Sequence, residues 1–77
     1  MTEILFPALS EKVPDAEGVV STWFVSDGDQ VQTDQLVAEV QVDKVAAEVM
    51  APTDGTMRLL VPEEATVSQG VAIARIE

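Results

Sequence analysis

The sequence contains no cysteine, no histidine and no tyrosine. Without cysteine there is no disulfide, no thiol nucleophile and no thiolate metal site. Without histidine the usual general acid–base catalyst is missing as well. Basic residues are almost as scarce. Four lysines and arginines stand against 14 acids, for a net charge of −10 at pH 7. Such a surface repels phosphate, so nucleic acid is excluded as the main partner and an anionic membrane is disfavoured. No stretch carries the spaced Asp/Asn ligands and bidentate Glu of a calcium loop, so no metal site is expected. The chain starts Met1-Thr2-Glu3-Ile4, without a basic start or a long apolar run. Neither a signal peptide nor a transmembrane helix is expected from that start. The lack of cysteine fits a reducing compartment, and the expected location is cytoplasmic, or the mitochondrial matrix in a eukaryote.

What is present argues for order. Hydrophobic residues make up 47% of the 77, too many for a chain held open by its charge. Their identity sets the fold class. Valine occurs 13 times, and Val, Ile and Thr together 22 times. β-Branched side chains suit a pleated surface and are stiff in helices. Glycine and proline punctuate the chain at intervals. An all-β domain occupying residues 1–77 follows.

The runs fall in order. Ile4 to Phe6 is a short strand stopped by Pro7, and Leu9 to Glu17 is a polar connection. Gly18 to Val25, Leu36 to Val42, Val45 to Ala51, Thr56 to Val61 and Val71 to Ile76 read as strands. Val31 and Val67 stand as isolated apolar positions. Val37 to Met50 is the one segment with helical competition, through Ala46-Ala47-Glu48. Period-two alternation on both sides of Asp43-Lys44 settles it as two strands and a tight turn. The chain also repeats itself. Val25, Val31, Val37 and Val40 recur 36 residues later as Val61, Val67, Ile73 and Ile76, whereas Gly18 and Gly55 are 37 apart. The expected architecture is a flattened β-barrel or sandwich of two four-stranded antiparallel sheets related by a pseudo-twofold axis.

The turn at Asp43-Lys44 is poorly furnished. Two-residue hairpin loops favour Asn-Gly, Asp-Gly or another glycine pair, because they need positive φ. This one has no glycine, and a type I turn is the form such a pair accepts. Lys44 is one of only two lysines, and it stands at the tip between Val42 and Val45. Local sequence rules tend to fail where function intervenes. Taken alone, the hairpin favours an ordinary exposed lysine in a turn, which also discourages edge pairing.

Val42-Asp43-Lys44-Val45 at the centre of a symmetric, glycine-punctuated β domain resembles the lipoyl domains of 2-oxo acid dehydrogenase complexes. Phe6-Pro7-Ala8-Leu9-Ser10-Glu11 looks like that family's opening segment. Gly28-Asp29-Gln30-Val31 looks like its Gly-Asp-x-Val turn, and Ala51-Pro52 with Gly55 follows the tip as in the family. Gly28 and Gly55 lie sixteen residues before and eleven after the lysine, a common family spacing. Two positions depart from the pattern: Gln41 replaces the frequent Glu, and the common Thr-Asp-Lys-Ala is Val-Asp-Lys-Val.

The resemblance implies that Lys44 carries lipoate as an amide. It implies that Gln41, Val42, Asp43, Val45, Gly28 and Gly55 contribute to recognition by the lipoate-attaching enzyme. Ser10, Glu11 and Lys12, in the loop beside the tip, are the implied contacts for the thiamine-diphosphate-dependent 2-oxo acid decarboxylase. The remaining implied partners are an acyltransferase catalytic core and a dihydrolipoamide dehydrogenase. The chain itself is then a monomeric carrier rather than an enzyme, the N-terminal domain of a longer acyltransferase. Two alternatives stand beside it. A biotin carrier domain has the same fold, but typically places methionines on both sides of its lysine, where Asp43 and Val45 stand here. An unmodified structural module of this fold is the other.

Overall fold

The computed structural model describes residues 2–9 and 16–77. Ser10, Glu11 and Lys12 therefore lie outside the described residues. Eight strands follow one another: β1 (Thr2–Leu5), β2 (Glu17–Trp23), β3 (Gln30–Val31), β4 (Leu36–Val42), β5 (Val45–Met50), β6 (Gly55–Leu59), β7 (Thr66–Ser68) and β8 (Ala72–Ile76). No helix occurs among the described residues. One sheet has the order β1-β8-β6-β3 and the other β5-β4-β2-β7. All pairs are antiparallel. No ladder joins the edges of the two sheets, so the molecule is a flattened sandwich and not a closed barrel. The edge strands β3 and β7, with two and three residues, are too short to bridge the layers. They are also where Val31 and Val67, the isolated valines of the sequence, find their ladders.

The 36-residue repeat is the organising symmetry. It maps β2, β3 and β4 onto β6, β7 and β8, and β5 onto β1, so that the two sheet orders superimpose. The buried core obeys it residue by residue: Val20 with Met57, Val37 with Ile73, Ala38 with Ala74, Val40 with Ile76, Val49 with Ile4, and Ala51 with Phe6. Turn hydrogen bonds repeat too. Asp29 N donates to Ser26 O as Ala65 N donates to Pro62 O, and Gln35 N to Gln32 O as Val71 N to Ser68 O. The one-residue discrepancy at the glycines has a physical origin. The β2–β4 ladder passes from Val20↔Val40 to Thr22↔Glu39, so Ser21 is a bulge. The β6–β8 ladder runs from Met57 to Leu59 without one. A bulge inserts one unpaired residue, which is the difference between offsets of 37 and 36.

Symmetry also exposes strained positions. Gly28 and its counterpart Glu64 both have positive φ, at 92° and 68°, as do Asp34 and its counterpart Gly70, at 67° and 85°. Each turn therefore has glycine in one half and a carboxylate residue in the other. A left-handed conformation costs a residue with a Cβ roughly 1–2 kcal/mol, partly offset by the greater unfolded-state freedom of glycine. Glu64→Gly is expected to stabilise the domain by about 0.5–1 kcal/mol. In a chain of this size that raises Tm by roughly 2–8 °C. A Tm that fell in thermal unfolding would contradict the assignment of strain to Glu64.

At the end of the molecule where the termini meet, Thr2 pairs with Ile76 and Thr56 exchanges two backbone hydrogen bonds with Glu77. The Glu77 carboxylate lies between two guanidiniums, 3.0 Å from Arg58 Nε and 3.0 Å from Arg75 Nη2. The Arg58 hydrogen bond is the main cause that holds the Glu77 carboxyl below the usual range; desolvation opposes it, and the charges of Arg75 and Arg58 add to the lowering. Asp54 is lowered likewise, first by the Thr33 backbone N–H (2.6 Å) and then by the Thr33 hydroxyl (2.9 Å). A carboxyl with a depressed folded-state pKa contributes stability above its unfolded value and loses it as pH falls through the folded one. Tm is therefore expected to hold from neutrality to about pH 4, near ordinary carboxylate values, and to fall below it. Glu77→Gln should flatten part of that fall. A Tm constant from pH 6 to pH 2 would refute the assignment.

Candidate functional site

β4 and β5 form a six-rung hairpin from Leu36↔Met50 to Val42↔Val45, with Asp43 and Lys44 at its tip. The turn is not the type I form that the residue pair accepts. Asp43 takes φ 55°, the left-handed conformation that primed hairpin turns require at their first central residue. Aspartate tolerates this better than most side chains, which explains a tight hairpin without glycine. The Gln41 side chain fixes the geometry: its Nε2 donates to the Asp43 carbonyl at 3.0 Å. A glutamate carboxylate at this position has no hydrogen to donate, so the departure from the family pattern supplies a bond of its own.

Lys44 and its neighbours Asp43, Val45 and Ala46 are exposed, whereas Val42 is buried. Among the described residues Lys44 has no ion pair, unlike Arg58 and Arg75. The amine is thus presented on a rigid root, with no described residue paired to it. The root is clamped from below by Gly18. A Cβ there would strike the Phe6 ring and come within 2.7 Å of Gln41 O and of Val42 Cγ2. Beside the tip lies a recess of about 250 Å³, lined by Glu17, Gly18, Val19, Gln41, Asp43 and Thr66.

The structure brings Gln41, Val42, Asp43 and Val45 together around Lys44. Gly55 begins β6 in the other sheet, and Gly28 lies in the turn that leads into β3. Gly28 donates its N–H to Met57 O at 2.7 Å, and a Cβ on Gly55 would meet Ile76 Cγ2 at 2.5 Å. Gly55 is the symmetry counterpart of Gly18, at the end where the termini pair. Sequence reasoning passed over Gly18, Glu17 and Thr66. The repeated glycine at offset 37 was the available signal, since glycine inside a strand marks a close approach.

An all-β sandwich with pseudo-twofold symmetry and an exposed lysine at a hairpin tip, without an ion pair among the described residues, fits a domain that carries a prosthetic group. A sequence model of the biotin/lipoyl family, described as biotin-requiring enzyme, matches residues 2–76. The dihydrolipoyllysine-residue acetyltransferase component of the pyruvate dehydrogenase complex of Corynebacterium glutamicum is 40% identical over 76 residues. These cover 97% of this chain and 11% of the relative. The dihydrolipoyllysine-residue succinyltransferase component of the 2-oxoglutarate dehydrogenase complex of Rickettsia felis is 37% identical over 75 residues, 96% of this chain and 18% of the relative. The solution structure of the lipoyl domain of the 2-oxoglutarate dehydrogenase complex from Azotobacter vinelandii superimposes with a TM-score of 0.80 at 31% identity. It covers 100% of this chain and 96% of that one. The chain belongs to the biotin/lipoyl family, on its lipoyl-domain side. It spans less than a fifth of the length of the two curated relatives.

Proposed function

We propose that this chain is a lipoate carrier, with Lys44 as the attachment residue, working within a dihydrolipoyl acyltransferase of a 2-oxo acid dehydrogenase complex. The observation that carries the reading is the tip itself: an exposed amine, without an ion pair among the described residues, on a hairpin whose turn is held by the Gln41 side chain. An amide at Nζ removes the lysine charge without breaking any ion pair among the described residues. Lipoate, once attached, supplies a redox-active disulfide able to accept an acyl group. The chain supplies the rigid root and the orientation. Tethering replaces diffusion by a high effective concentration at successive active sites.

Asp43 and Val45 flank the lysine where a biotin domain typically has methionines, which favours lipoate over biotin. Gln41, Asp43 and Val45 form the surface read by the lipoate-attaching enzyme, and the buried Val42 supports it from beneath. Gly28 and Gly55 act at a distance, through the framework. The partners of the loaded chain are a thiamine-diphosphate-dependent decarboxylase, an acyltransferase core and a dihydrolipoamide dehydrogenase. They place it in the cytoplasm or its mitochondrial equivalent, as one domain of a longer protein. The test is incubation of the chain with lipoate, ATP and a lipoate–protein ligase, followed by intact mass and site mapping. One adduct on Lys44 is expected. No adduct, with a known lipoyl domain reacting alongside, would overturn the reading, and a biotin adduct instead would establish the alternative.

A further inference from the structure

A second concavity among the described residues lies away from the hairpin tip. It is a groove of about 590 Å³ with walls from residues 23–27 and 59–63, the same stretch of each half of the repeat. It therefore straddles the pseudo-twofold axis. Trp23, Val25, Leu59 and Val61 are partly buried and packed on the core, so each presents its remaining apolar face to the groove. The Trp23 indole N–H donates to Val61 O at 3.1 Å, across the two walls, which fixes the ring as a rigid surface. Leu60 on the groove wall is half exposed (46%), and the exposed apolar surface continues beyond the groove through Phe24 (51%). These exposed apolar side chains stand in a domain of net charge −10.

The rim defines its chemistry. Asp27 is engaged, accepting from Leu59 N–H at 2.9 Å and lying 3.6 Å from Arg58. Glu63 is exposed and, among the described residues, has no ion pair. Glu64 beside it is exposed as well. Arg58 is shared with Glu77, Arg75 is paired with Glu77, and Lys44 stands at the tip. No described cation of the chain is left to neutralise Glu63. A rigid aromatic wall beside an unneutralised carboxylate fits a bulky apolar side chain next to a lysine or arginine. A second copy of the chain would bring a second net charge of −10 to the same place.

We propose that this groove is a docking site for a short basic-apolar segment of a partner polypeptide, which seats an aliphatic side chain against Trp23 and Val61 and pairs a cation with Glu63. Resting on the carrier reading, the site gives the domain a second point of attachment. Trp23 pairs with Ala38, five residues before Asp43 on β4, so the groove begins about 16 Å from the tip at about 3.3 Å per residue. A partner held there leaves Lys44 accessible and raises the local concentration of the arm.

The chain has a single tryptophan, which makes the test direct. ¹⁵N-labelled chain, before and after treatment with lipoate–protein ligase, is titrated with acetyl-Arg-Leu-Arg-Leu-amide. Saturable shifts of the Trp23 indole N–H and of the Val61 and Glu63 amides are expected in both preparations. Acetyl-Glu-Leu-Glu-Leu-amide and acetyl-Arg-Ser-Arg-Ser-amide should bind at least fivefold more weakly. Glu63→Gln should weaken the basic-apolar peptide at least threefold. The proposal is overturned by the absence of saturable shifts, by equal binding of either control peptide, or by an inert Glu63→Gln. Shifts centred on Glu39 and Glu48 would mean diffuse charge attraction and overturn it too. Trp23 shifts that appear on concentrating the chain alone would assign the groove to a second copy instead. Failure of the ligase to modify the chain would count against the carrier reading without touching the titration.

Discussion

Replacing Lys44 with arginine is expected to abolish lipoate incorporation completely while leaving the domain folded. The guanidinium retains the positive charge but cannot be acylated by the ligase as an amine is. The predicted loss is therefore one adduct per chain to none, with no residual slow reaction at another site. Lys12 is the only other lysine in the sequence. The structural half of the prediction is equally definite. Lys44 is exposed and, among the described residues, unpaired, and the backbone strain of the turn sits on Asp43. Substitution of such a residue changes stability by no more than ~0.5 kcal/mol. Intact mass after ligase treatment and a thermal melt test the two halves separately. An adduct that persisted in Lys44→Arg would move the attachment site. A variant that unfolded would mean the lysine is a structural residue, contrary to its position. Lys44→Gln would extend the test to the assembled complex, where turnover should disappear and the fold remain.

Lys44, the proposed attachment residue, stands where two independent signals meet in the sequence. Alternation on both sides of Asp43-Lys44 located the tip, and the resemblance of the surrounding residues supplied its chemistry. The sheets were legible through β-branched content and the repeat, although two of the eight strands were not visible as strands. Val31 and Val67 each sit in two or three ordered residues, too few for any periodicity to register. Their ladder partners, Gly55 and Gly18, lie 24 and 49 residues away in sequence. The turn conformation at Asp43 was not legible either. Its left-handed φ depends on the Gln41 amide reaching the Asp43 carbonyl, a contact fixed only once the hairpin register is set. The groove at Trp23 escaped for a related reason. Its two walls are 36 residues apart, and only the folded pseudo-twofold brings them face to face.

A second large effect is expected at Gly18, and it separates close packing from backbone strain. Gly18 and Gly70 both look replaceable in the sequence, as small residues beside turns. At Gly18 an added Cβ meets the Phe6 ring, the Gln41 carbonyl oxygen and Val42 Cγ2, with both of the latter at 2.7 Å. One obstacle is backbone and the other two are buried core, so none can swing aside. At Gly70 the added Cβ meets nothing within 4 Å, and only the φ of 85° opposes it. Overpacking typically costs 1–3 kcal/mol and sometimes more, and an immovable backbone neighbour favours the upper end. A left-handed alanine costs roughly 1–2 kcal/mol, less the gain from a stiffer unfolded chain. Gly18→Ala is therefore expected to lower the unfolding free energy by about 3 kcal/mol and Gly70→Ala by about 1 kcal/mol in urea titrations. The two should also differ in function. Relief of the Gly18 clash must push on Gln41 and Val42, the root that orients Asp43 and Lys44, so lipoylation should slow even under conditions where the variant is fully folded. Gly70 lies outside that root, and its variant should be modified at the normal rate. Equal destabilisation by the two substitutions would show that the packing under the hairpin has room to spare. Normal lipoylation of folded Gly18→Ala would show that the ligase does not require the tip to be held in this geometry.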